Sequence, residues 1–157
     1  MVLKFIASPS DQVRAFQAMG ADANGQPPEI TVSDGGGNPC RHCLSEIPED
    51  ELMLILAFRP FETRQPYAEV GPIFLCKEAC ERHPDSATLP EMFERWTGKI
   101  LLRGYDRDER IVYGTGQVIE LSDVEAVAEA VFADPCVAFV HLRSAANNCY
   151  QCRIERG

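Results

Sequence analysis

A chain of 157 residues with 45% apolar and 25% charged side chains has the composition of one soluble globular unit, so 1–157 reads as a single domain. Lys plus Arg total 15 against 24 Asp plus Glu, and the resulting net charge of −9 repels a phosphate backbone, which excludes non-specific nucleic-acid binding. The longest apolar run, residues 52–58, falls far short of the ~20 residues that cross a bilayer, and Lys4 interrupts the apolar N-terminal stretch, so neither a membrane span nor a secretory leader is expected and the chain is assigned to the cytoplasm.

In chain order, Ser8-Pro9-Ser10-Asp11 supplies a cap residue, a proline for the first helical position and an acid in the first turn. Val13, Phe16 and Met19 follow at helical spacing, and Gly20 closes this first helix. Residues 20–38 are rich in Gly, Pro, Asn and Asp and form a loop holding one short strand, 30–32. Residues 52–58 carry apolar side chains at both parities, as a central strand covered on both faces does, and 73–75 reads as its partner. The composition of 76–82 opens a short helix. Thr88, Pro90, Glu91 and Gly98 bound another over 88–98.

Residues 100–105 and 111–113 flank a polar connection of hairpin length, and with 117–120 they predict a β-meander. Ser122 and Glu125 have the spacing of a capping box at the head of an amphipathic helix over 122–133, which Asp134-Pro135 ends. Strands over 137–142 and 150–154 complete an α+β fold, a mainly antiparallel sheet with about three to four short helices on one face.

Seven cysteines are too few for a disulfide scaffold, and an odd number cannot pair completely within one chain, so a reducing compartment fits. Cys40-Arg41-His42-Cys43 is a CxxC pair after a glycine run, and Cys76 and Cys80 stand one helical turn apart. A knuckle, a strand pair and two ligands at a helix start are the parts of a treble-clef-like zinc knuckle. A second CxxC, Cys149-Tyr150-Gln151-Cys152, can replace either half, so Cys40, Cys43, Cys76, Cys80 and Cys152 are the candidate zinc ligands. The same thiols also read as buried small hydrophobes or as redox groups, with Arg41 and His42 as cationic neighbours that lower a thiol pKa. Cys136 is read as a core residue.

Outside the cysteines, strand alternation puts Arg103 with Tyr105, and His141 with Arg143, on common faces, and Arg153 lies on the last strand. If these five converge they form a site for a small anionic ligand; otherwise they are surface ion pairs. No P-loop, H-E-x-x-H, G-x-S-x-G or EF-hand pattern occurs, and Gly114-Thr115-Gly116 runs into a strand instead of opening a helix, so no catalytic residue is nominated.

Several blocks taken together carry a resemblance: Asn38-Pro39-Cys40-Arg41 with Leu44, residues 52–57, Pro66-Tyr67, Gly71-Pro72-Ile73-Phe74, Ala133-Asp134-Pro135, residues 137–141 and Cys149-Tyr150. The sequence resembles the bacterial family known as domain of unknown function 1203 over nearly its whole length. The resemblance implies a small single-domain protein with no assigned activity. It also implies one cysteine in each of the Pro-Cys-Arg and Cys-Tyr blocks, so Cys43, Cys76, Cys80 and Cys152 depart from the family pattern. That departure favours Cys43, Cys76 and Cys80 as ligands, with Cys40 or Cys152 as the fourth. The expected function is a zinc-stabilised binding or interaction module, not an enzyme, and the alternative is a thiol or redox enzyme using a CxxC pair.

Overall fold

A computed structural model describes residues 1–157, in which eight strands form two antiparallel sheets. The strands are β1 (Leu3–Ile6), β2 (Glu29–Val32), β3 (Leu52–Phe58), β4 (Gly71–Cys76), β5 (Ile100–Tyr105), β6 (Gln117–Ile119), β7 (Phe139–Ser144) and β8 (Tyr150–Arg156). The larger sheet has the order β1-β8-β7-β5-β6 and the smaller the order β2-β3-β4.

One face of the larger sheet buries Ile100, Leu102, Val140, Leu142, Cys152 and Ile154 beneath helix α2 (Val124–Phe132). Val124, Ala128, Val131 and Phe132 of α2 recur at helical spacing and fill that face, each large one contributing about 1.5–3 kcal/mol by its burial. Gly104 permits the approach, because a Cβ there would meet Val131 Cγ1 at 3.2 Å. The smaller sheet packs its β3 and β4 side chains against Val13 and Phe16 of helix α1 (Ser10–Gln17).

Two α-helices form, where about three to four were expected, and the structure shows what replaces the others. At 76–82 no helix forms because α1 takes the carbonyls it would need: Gln17 Nε2 donates to the Cys76 and Glu78 carbonyls and Arg14 to that of Cys80. The segment at 88–98 tightens into a five-residue 3-10 turn, Glu91–Arg95. The capping box before α2 is not made: Glu125 instead accepts the Leu89 N–H at 3.2 Å, and a 3-10 turn, Leu121–Asp123, leads into the helix. Pro9 stands at the N-cap of α1, and Ser8 makes no cap.

β3 is central in its sheet, flanked by β2 and β4, with Leu54, Leu56 and Phe58 buried and Ile55 and Ala57 only half-covered. Residues 111–113 are not a strand; a single bridge joins Ile111 to Tyr105, and β6 pairs with the start of β5. β1, absent from the expected elements, is held to β8 with Phe5 opposite Ile154. No helix is long and apolar enough to cross a membrane.

Candidate metal centre

Residues 39–46 fold into a tight knuckle in which Pro39 and Glu46 bridge, Cys40 N–H donates to the Ser45 carbonyl and Leu44 adopts a left-handed φ of 50°. The knuckle lies along the edge of β4: Arg41 N–H donates to the Phe74 carbonyl at 3.2 Å. That docking carries Cys40 and Cys43 to the end of β4, where Cys76 and the loop residue Cys80 complete a cluster. All four sulfurs lie within 4.8 Å of one another.

The separations decide what the cluster can do. Cys40 and Cys80 sulfurs are 3.9 Å apart and those of Cys43 and Cys76 4.0 Å. Four sulfurs at ~2.3 Å from a common centre in tetrahedral array stand about 3.8 Å from each other, so the cluster has the dimensions of an S4 metal site. A disulfide needs ~2.05 Å, and all seven cysteines are free. The Cys76 N–H also points at Cys40 Sγ, 3.3 Å away, placing a backbone donor on a sulfur that would carry negative charge.

The neighbouring thiols donate to Cys40 and pull it far below an ordinary cysteine, while proximity to Cys40 and Cys43 pushes Cys76 and Cys80 up. Cys43 is raised by Cys40 but lowered on balance by its contacts with Cys76 and Cys80, so Cys40 and Cys43 ionise ahead of the other two. All four become thiolates together only beside a cation, which is what binding a metal ion supplies.

His42 is fully buried, and its two ring nitrogens have separate partners: Nδ1 lies 3.0 Å from Cys80 Sγ and Nε2 2.8 Å from Ser10 Oγ. With Cys80 as a thiolate, Nδ1–H donates to sulfur and Nε2 accepts the Ser10 hydroxyl proton, so α1 orients the imidazole that orients the ligand. Burial lowers the His42 pKa, which keeps the ring neutral rather than cationic. Arg41 is turned away from the sulfurs, its Nε donating to the Tyr150 carbonyl at 2.7 Å and Nη1 to that of Pro39. Its burial lowers its pKa to about 10. Arg41 thus anchors the knuckle to β8 instead of activating a thiol.

Cys152 is not part of the cluster. It sits opposite Leu142 in the core of the larger sheet, 1% exposed, because the strand parity of β8 turns it toward α2, and burial pushes its thiol up to about 12. Cys149 is half-buried beside the Asn147 carbonyl. Cys136, expected in the core, is exposed: it lies on the turn after α2, where Asp134 accepts its N–H and Val137 takes the buried position. Because Cys80 sits in a loop and not on a helix, the arrangement also lacks the helix of a treble clef.

Residues 37–156 match the family described as Protein of unknown function (DUF1203). The chain belongs to that family. The matched span contains all four clustered cysteines of this DUF1203 member, together with His42, whereas Ser10 lies before it. No curated protein and no solved structure matches the chain.

The five residues considered for an anion site do share one sheet face. Arg103, His141 and Arg153 stand directly opposite one another on β5, β7 and β8, and Arg103 Nε donates to the Tyr105 hydroxyl at 2.8 Å. The face is not open, however. The β3–β4 loop crosses it, so Phe61 packs against Tyr105 and His141, both of which are fully buried. Glu69 from that loop meets Arg103 and Arg143 with a single oxygen, Oε1. Arg153 pairs with Glu155 and stacks on Phe139, 3.7 Å from the ring centroid. Neither Glu69 nor the His42–Ser10 pair was recognised from sequence; a histidine inside a CxxC is the one local signal that marked the latter.

Proposed function

We propose that Cys40, Cys43, Cys76 and Cys80 hold one zinc ion in a structural role, and that the chain is a zinc-stabilised binding or interaction module of a reducing, cytoplasmic compartment. The observation that carries this reading is the convergence of four thiols from a knuckle, a strand end and a loop at tetrahedral separations. An all-thiolate tetrahedral set suits zinc among the available divalent ions, with iron as the competing occupant. Four protein ligands leave no coordination position for a substrate, which supports a structural rather than a catalytic role. The ion would tie the knuckle to β4, a junction otherwise held by few backbone bonds, and so contribute folding free energy.

A dithiol redox role at Cys149 and Cys152 has less support, because one thiol is sealed in the core and its pKa is raised, the reverse of a reactive thiol. The test is metal analysis of untagged protein purified without chelator. About one zinc per chain is expected from one four-ligand site. Metal near zero in protein kept reduced throughout overturns the proposal, and iron in place of zinc overturns its choice of metal.

A further inference from the structure

A cavity of about 180 Å³ lies where the connection between β7 and β8 meets the β3–β4 loop, with Glu69 on one wall and Arg143, Asn147, Asn148 and Tyr150 around the other. The Arg143 side chain is 4% exposed, a charge almost wholly removed from water. Nη1 donates to the Asn148 carbonyl at 3.2 Å. Nη2 lies 2.8 Å from Glu69 Oε1, yet off the line of a hydrogen bond, and both Nη2 and Nε are left without an acceptor. A buried guanidinium normally has its donors satisfied, whereas here Nε has no acceptor and Nη2 has only the ion pair with Glu69.

The carboxylates on this face are unevenly shared: Arg153 has Glu155 as its ion-pair partner and Glu109 near enough to feel its charge. Glu69 Oε1 is shared between Arg143 and Arg103, so two guanidinium groups face one carboxylate. His141 between them adds no compensating charge. Burial, then Arg143, Arg153 and Arg103, hold its pKa well below the ordinary value, and it stays neutral. Beside the cavity itself, the guanidiniums of Arg103 and Arg143 thus meet a single carboxylate.

We propose that the cavity binds a small carboxylate that displaces Glu69 from Arg143, its oxygens taking the Nε and Nη2 donors that are buried while Glu69 stands against them. Glu69 is 39% exposed and sits at the end of its loop, so it can release Arg143 to the ligand while keeping Arg103. Its own carboxylate shows the kind of group this arginine accepts, and the planar fork of a guanidinium matches two carboxylate oxygens. The exposed amides of Asn147 and Asn148 stand at the mouth as further donors. A dianionic phosphate fits less well, because the Glu69 charge beside Arg143 repels the second negative charge.

The experiment is an amide-shift titration of the full chain with sodium acetate, run against sodium chloride and sodium phosphate at matched ionic strength. Saturable shifts confined to residues 69–72 and 143–150 are expected with acetate, and weaker ones with phosphate. Glu69→Gln keeps the side-chain shape and removes the competing charge, so it should bind acetate about threefold more tightly, the effect of one partly screened charge. Arg143→Gln should abolish the shifts, and because that variant loses a buried group, the Glu69→Gln result stands in for it if it fails to fold. Shifts in wild type no different from those with chloride, acetate binding in Glu69→Gln alone, or phosphate binding equal to acetate would each overturn the proposal.

Discussion

Nδ1 of His42 lies 3.0 Å from Sγ of Cys80, and the far side of the same ring is held by Ser10, so a residue of α1 reaches the four-cysteine cluster through one imidazole. Partners of this kind fix a ligand's orientation, and losing one commonly costs about 10–100-fold in metal affinity. His42→Ala is expected to weaken zinc binding by that factor in competition with a chromophoric chelator, and Ser10→Ala to weaken it less. Unchanged affinity in His42→Ala would show that the imidazole only fills space.

Chelation should lower the melting temperature, since a metal that binds the folded but not the unfolded chain stabilises by mass action. The loss is expected first near the knuckle and the end of β4, and hydrogen exchange would register it at Leu44 and Ile47, whose amides donate within the knuckle and just after it. A melting temperature that does not move after complete metal removal would count against a structural ion.

Much of the larger architecture was legible in the sequence because it rests on patterns internal to one segment. The strands at 52–58 and 100–105 occupy the expected residues, as their apolar runs need no outside partner to be recognised. The segment at 76–82 was misread because its fate is decided by Arg14 and Gln17, some sixty residues away, which claim its carbonyls. Cys152 was not separable from the ligands by spacing alone, since only the register of β8 against β7 turns it inward. The face bearing Arg103 and His141 was legible as a face, but the loop that covers it is irregular and carries no periodic signal.

Glu109 fastens that loop. Its carboxylate accepts the N–H groups of Glu62 and Thr63, both at 2.8 Å, and the Thr63 hydroxyl at 2.6 Å. Burial works against the charge, but these hydrogen bonds outweigh it and lower the pKa. Because the folded value lies below the unfolded one, the stabilisation is present above about 4.3 and is lost as pH falls through the folded value. Glu109→Gln is expected to cost about 2 kcal/mol at neutral pH in urea unfolding, within the range for bonds to a charged group. The difference from wild type should shrink in acid, and a difference independent of pH would contradict the assignment.

His141 titrates with the same outcome by the opposite chemistry. Both ring nitrogens are buried without partners, inside a box formed by Phe61, Tyr105, Phe139 and Tyr150. Its folded pKa is lowered by burial and by Arg143, Arg153 and Arg103, so the unfolded chain takes up the proton first. Stability from this group is complete above about 6.5 and falls by up to about 1.4 kcal/mol per pH unit below it, down to the folded value. His141→Phe should be neutral or stabilising at pH 7 and should flatten this part of the acid profile. Parallel profiles for variant and wild type would refute the buried neutral histidine.

X-ray absorption at the zinc edge of the purified protein distinguishes an all-sulfur metal site from a mixed one. A first shell of four sulfurs at about 2.3 Å is expected. A shell containing an imidazole nitrogen at about 2.0–2.1 Å would place His42 among the ligands in place of a cysteine, and that result would contradict the all-sulfur site.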